Sequence, residues 1–128
     1  MPRLRYDHIH LRSPDPEATA AWFEEMLGAE VIRSMQQGKP RIDLRLGGTD
    51  IFIVQSDATA AEAPIAPYKG IDHFGFAVEG GLDEMVARLK AKGVHFTMEP
   101  NSPRPGIRIC FIRGPENISI ELLERFPA

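Results

Sequence analysis

Two histidines stand in matching frames 65 positions apart, in Asp7-His8-Ile9-His10-Leu11 and Asp72-His73-Phe74-Gly75-Phe76. A carboxylate, Glu121, sits inside a third apolar run, Ile118-Ser119-Ile120-Glu121-Leu122-Leu123. Two imidazoles and a carboxylate are a donor set for a divalent ion such as Zn, Ni, Co, Mn or Fe, and Gln55 offers a neutral fourth ligand. A carboxylate among Ile and Leu also needs some partner to offset its desolvation. Metal chemistry is therefore the first expectation, provided the fold brings these residues together.

Their positions depend on short strands. Leu4 to Arg12 alternates as a strand, with Ile9 and Leu11 on one face and His8, His10 and Arg12 on the other. Ser13-Pro14-Asp15-Pro16 stops it and starts a helix: Asp15 is a good N-cap, Pro16 fits the first helical position, and Glu17 suits the dipole. Trp22, Phe23, Met26 and Leu27 make the apolar stripe, and Gly28 is the expected left-handed cap. Strands are expected at Glu30–Arg33, Arg41–Leu46 and Asp50–Gln55, with turns at Gln36–Pro40 and Gly47-Gly48-Thr49. Ser56 to Tyr68, rich in Ala and Pro and without amphipathic period, reads as a linker.

The second half repeats the order. Ile71–Val78 is a strand, with His73, Gly75 and Ala77 on the face opposite Phe74, Phe76 and Val78. Leu82, Met85, Val86 and Leu89 fall at i, i+3, i+4 and i+7 of a helix that Gly93 ends. Val94–Met98, Ile107–Ile112 and Ile118–Leu123 are the closing strands, with the three-proline loop Glu99–Gly106 between the first two. Asp7, His8 and Gly28 all map 65 positions on, to Asp72, His73 and Gly93; later the offset slips to 66, pairing Gly48 with Gly114 and Gln55 with Glu121. The chain reads as α+β: two tandem βαβββ modules, 1–55 and 70–128 joined by 56–69, in one domain spanning 1–128. The expected sheet is mixed, curved and cup-like, with helices outside. His8, His73 and Glu121 share the concave face, and His10 and Arg12 line the pocket.

Composition narrows the partners. With 15 basic and 18 acidic side chains the net charge is −3, and no Lys/Arg-dense run suggests nucleic acid or an anionic membrane. No apolar stretch is long enough to span a bilayer, and Met1-Pro2-Arg3-Leu4-Arg5 does not open a signal peptide, so a cytoplasmic location is expected. The single cysteine, Cys110, rules out an internal disulfide and reads as a small buried hydrophobe. His95 reads as a surface residue, and Arg41, Asp43 and Arg45 as cross-strand charge pairs.

The Asp7-His8-Ile9-His10-Leu11 run, its Asp72-His73 echo and the closing Ile118–Leu123 segment together resemble the vicinal oxygen chelate superfamily. That superfamily holds glyoxalase I, methylmalonyl-CoA epimerase, extradiol dioxygenases, and fosfomycin and bleomycin resistance proteins. The resemblance covers essentially the whole chain. It implies metal ligands at His8, His73 and Glu121, with a fourth on the fourth strand. There this sequence departs from the pattern: no Glu is present, and Gln55 or Ile53, both on one strand face, would stand in its place. With Gln55 bound, the set looks like the epimerase arrangement. Without it, two histidines and one carboxylate look like the facial triad of iron or manganese dioxygenases.

The resemblance leads to a metal-dependent lyase or isomerase of glyoxalase I type, stabilising an enediolate on a substrate chelated through vicinal oxygens, with Glu121 as base. The alternatives are an iron-dependent ring-cleaving dioxygenase, an epimerase of methylmalonyl-CoA type and a resistance-type protein that sequesters a small molecule. A homodimer is implied in each case.

Overall fold

The computed structural model describes residues 1–127. Its order is β1 (His8–Ser13), α1 (Pro16–Leu27), β2 (Glu30–Gln36), β3 (Lys39–Leu46), β4 (Thr49–Gln55), β5 (Phe74–Ala77), α2 (Leu82–Ala91), β6 (Phe96–Asn101), β7 (Ile107–Arg113) and β8 (Ser119–Arg125). A single 3-10 turn, Pro115–Asn117, precedes β8. Two βαβββ modules therefore follow one another, each building its own four-stranded mixed sheet, in the orders β1-β4-β3-β2 and β5-β8-β7-β6. In each sheet the first strand runs parallel to the last and the other pairs are antiparallel. The chain divides into two compact units, residues 1–61 and residues from 62 on. Among the described residues no helix is long and apolar enough to cross a membrane.

In the first unit α1 starts where the sequence predicts. Asp15 caps it by accepting from the Ala18 amide at 3.1 Å, Pro16 opens it, and Gly28 ends it at φ 75°, a conformation a side chain would resist. A further tie was not foreseen: Ser13 and Thr19, both buried, share a hydroxyl hydrogen bond of 2.7 Å, and the Asp15 amide donates to Ser13 Oγ at 3.1 Å. The end of β1 is thereby locked to the start of α1. Phe23 and Ala20 of α1 are buried in the same core as Ile42, Leu44, Ile51 and Ile53 of β3 and β4. Arg33 and Glu17 close the rim of this face with a two-point ion pair.

The second unit buries Leu82, Val86 and Leu89 of α2 in a core with Cys110, Ile112, Ile120 and Leu122 of β7 and β8. Its helix has no side-chain N-cap of its own. Glu124 of β8 takes that role, accepting from the Leu82 amide at 2.9 Å, and Arg108 of β7 bonds Asp83 in the first turn.

Strand limits differ from the sequence expectation, because a strand exists only where it has a ladder. β1 begins at His8, not Leu4, since its ladder to β4 starts with His8 opposite Asp50, just after the Gly47-Gly48 turn. β5 begins at Phe74, paired with Ile120, so His73 sits immediately before its strand. β6 spans Phe96–Asn101 rather than Val94–Met98, with register shifts on either side of Met98. It is an edge strand, where the missing N–H of Pro100 is tolerated.

Candidate functional site

The second unit brings one imidazole and one carboxylate together. Gly75 lies opposite Glu121 in the parallel β5–β8 pair, and Phe111 lies opposite it on the other side. Glu121 leaves β8 on the face away from α2, since Ile120 and Leu122, which alternate with it, are buried in the α2 core. His73 Nε2 approaches Glu121 Oε1 at 3.2 Å, and its ring stands edge-on to Phe111 at 4.8 Å between centroids. Gly75 keeps the space beside the carboxylate open: a Cβ there would sit 3.5 Å from Glu121 Oε1.

The other ring nitrogen of His73 is fixed. Asp72 Oδ2 lies 2.7 Å from Nδ1. An ionised carboxylate only accepts, so Nδ1 carries the proton. When the ring carries that proton alone, the Nε2 lone pair faces another carboxylate oxygen. Two electron-rich atoms at that separation need a proton or a cation between them. A 3.2 Å span also suits two atoms each about 2.1 Å from a shared ion at an angle near octahedral or tetrahedral. The donor set fits a divalent metal.

The first unit repeats half of this. Asp7 Oδ1 lies 2.7 Å from His8 Nδ1, the same orienting contact from the preceding residue. His8 then stacks on Phe52 at 4.3 Å, where His73 meets a carboxylate. His10 stands edge-on to both rings at 6.1 Å, and the Arg41 guanidinium lies 4.4 Å from the Phe52 centroid while bonding Asp43 at 2.8 Å. Among the described residues no three His, Cys, Asp or Glu side chains are gathered into a metal-holding group.

The register corrects the expected partner of Glu121. His10 pairs with Phe52 as Gly75 pairs with Glu121, and Asp43 pairs with Phe52 as Phe111 pairs with Glu121. Phe52, not Gln55, is the counterpart of Glu121. The offset grows because residues enter along bulged β6 and the connection after it, with one more between β7 and β8. Gln55 pairs with Ser13 and shares its strand face with Ile51 and Ile53, the buried core positions, so it leaves β4 on the face opposite Phe52 and His8. The structure does not bring Gln55 to His8.

Arg12 pairs with Val54 on the His8 face and is exposed, with its charge felt by Asp57. His95 is exposed. Cys110 is fully buried, and burial pushes its thiol up to about 11. Arg41 pairs with Asp43 along one strand rather than across strands, whereas Arg45 and Asp50 do pair across, at 3.5 Å. Sequence reasoning missed Phe52, Phe111 and the orienting roles of Asp7 and Asp72. The signals were present: Ile51 and Ile53 flank Phe52 as Ile120 and Leu122 flank Glu121, and an Asp precedes each histidine.

The profile of the glyoxalase/bleomycin resistance protein/dioxygenase superfamily matches residues 5–122. The chain belongs to that superfamily. Solved structures of similar fold include a glyoxalase family protein from Bacillus cereus, with TM-score 0.81, 24% identity, and 99% of this chain and 97% of that one covered. A glyoxylase/bleomycin resistance protein/dioxygenase domain from Frankia sp. gives 0.77 at 24% identity, covering 98% and 100%. The genomically encoded fosfomycin resistance protein FosX from Listeria monocytogenes gives 0.75 at 22% identity, covering 97% and 95%. No curated protein matches the chain in sequence. The superfamily's own description spans enzymes and resistance proteins, so membership leaves the reaction to be argued from the residues.

Proposed function

We propose that His8, His73 and Glu121 hold one divalent metal ion, and that the protein is a lyase or isomerase acting on a small substrate bound through two neighbouring oxygens. The observation that carries this reading is the matched pair of Asp–His contacts at 2.7 Å, one of which leaves Nε2 aimed at a carboxylate 3.2 Å away. A carboxylate on Nδ1 fixes the tautomer, sets the ring plane and raises the basicity of Nε2, which is the support that metal-binding histidines receive. When bound, the ion supplies Lewis acidity to an oxygen next to a carbonyl. Our candidate base is Glu121, supported by its contact with His73 on one side and the open space over Gly75 on the other. We further propose a homodimer in the cytoplasm as the working form.

A second reading is favoured by one observation. Phe52 stands opposite His10 as Glu121 stands opposite Gly75, and a phenyl ring cannot coordinate, which leaves two histidines and one carboxylate, the donor set of oxygen-activating iron sites. Likeness to a fosfomycin resistance protein adds fosfomycin as a third substrate to try. Metal analysis of the purified protein, followed by turnover assays with a hemithioacetal, a catechol and fosfomycin, separates these. Zn, Ni or Co with hemithioacetal turnover supports the isomerase reading. Iron with oxygen-dependent catechol loss replaces it with the oxygenase. A protein without metal, unchanged by His73→Ala, defeats both.

A further inference from the structure

Arg113 sits on β7 paired with Ser119, so it leaves the sheet on the same face as the neighbouring Phe111–Glu121 pair. Diagonal positions across a strand pair lie about 7–8 Å apart, within reach of an arginine side chain. Its Nη1 is buried and has no hydrogen-bond partner among the described residues. The contrast on the same strand is Arg108, which leaves on the helix face and is bonded to Asp83. Glu121, a carboxylate on Arg113's own face, is engaged by His73 at 3.2 Å instead. A guanidinium nitrogen withdrawn from water without an acceptor is costly, and chains rarely keep one without use. The residue as a whole remains part-exposed, so the group is not sealed inside the core.

We propose that Arg113 recognises an anionic oxygen of the substrate, a carboxylate or a phosphoryl group, beside the His73–Glu121 pair. The proposal rests on placing the substrate at that pair, and it narrows the substrate class to anions. A planar fork of N–H donors matches two oxygens of one anionic group, which a lysine does not reproduce. Ser119, its register partner, adds a hydroxyl on the same face.

Inorganic phosphate is the probe, titrated into metal-free protein and read by calorimetry and by Tm. Wild type should bind it and gain Tm. Arg113→Met should bind at least about tenfold more weakly, the loss expected for one charge-assisted contact, with Arg113→Lys in between. In phosphate-free buffer Arg113→Met should keep its Tm or raise it, because an unpaired buried donor has been removed. Equal phosphate affinity in wild type and Arg113→Met overturns the proposal, as does no binding by wild type. A Tm loss in Arg113→Met that phosphate does not alter makes the residue structural and overturns it too. Because the titration is done without metal, it reads Arg113 independently: a failed metal assay with phosphate binding intact sinks the metalloenzyme reading alone.

Discussion

Asp72→Asn tests the metal proposal at the point where structure and chemistry are most closely linked. Asparagine keeps an oxygen that can accept from His73 Nδ1, so ring position and tautomer survive while the charge is lost. What changes is the electron density at Nε2, and outer-sphere substitutions of this kind typically cost about 10- to 100-fold in metal affinity, roughly 1.4 to 2.7 kcal/mol. The matching change Asp7→Asn is the internal control on magnitude. Asp72 is 50% exposed and Asp7 81%, so water screens the second contact more, and its effect belongs at the lower end of that range or below it.

Metal-free stability supplies the second control. Both contacts are side-chain pairs open to water, worth about 0 to 1 kcal/mol, so neither variant should shift the Tm of metal-free protein by more than about 4 °C. The assay is competitive titration of zinc or cobalt against a chromogenic chelator, for wild type, each variant and Asp72→Asn in a His73→Ala background. In that background the aspartate has no ring to act on, so the second substitution should add nothing. Wild-type affinity in Asp72→Asn, or an equal further loss in the His73→Ala background, would refute the reasoning.

Gln55→Ala should leave metal content unchanged, measured by elemental analysis, because Gln55 shares a face with Ile51 and Ile53 rather than with Phe52; Glu121→Gln should lower it at least tenfold. Ser13→Ala leaves the Thr19 hydroxyl and the Asp15 amide without their partner and should destabilise by about 1–3 kcal/mol in urea unfolding. Cys110 has its thiol raised from 9.0 to about 11 by burial, so at pH 8 its thiolate fraction is about a hundredfold below that of the unfolded chain, and labelling by a disulfide reagent should be slow until denaturant is added. A thiol kept neutral by folding stabilises the native state below pH 9, and that contribution is lost as pH rises from 9 towards 11. Thermal unfolding across that window should therefore show Tm falling more in wild type than in Cys110→Ala.

Much of this was legible because local rules and tertiary structure agree. The strand faces of β1 and β8, the Asp15 cap, the Gly28 stop and the tandem module order all follow from period and turn chemistry, and all are present. The failures share one cause. Strand ends are set by the partner's length, which a single sequence does not print: β1 loses Leu4 to Asp7 because β4 starts only after its turn. The pairing of Gln55 with Glu121 failed in the same way. Counting positions assumes that one residue was gained in the second module, whereas the register shifts along β6 and the longer connection after it add more. Alternation would have been the safer guide. Gln55 has the parity of Ile51 and Ile53, and a ligand facing His8 must have the parity of Phe52.

That parity also explains how a duplicated scaffold can carry an unequal site. Both modules keep the Asp–His step, because it needs only adjacent residues and a strand start. They diverge at the residue opposite: a phenyl ring stacked on His8 in one, a carboxylate against His73 in the other. The substitution is tolerated because each position lies on the sheet face away from its helix, where neither module's core depends on it. Phe52 also acts on His8 directly. Stacked on the imidazole and lying under Arg41, it holds the His8 ring in place. Phe52→Leu should therefore loosen His8 without adding a donor, weakening metal binding while leaving the α1 core intact. Phe52→Glu adds the donor but places it beside Arg41, where an ion pair competes for it. If Phe52→Glu binds metal more tightly than wild type only after Arg41→Ala is added, the phenyl–guanidinium pair is what keeps the proposed site at three ligands.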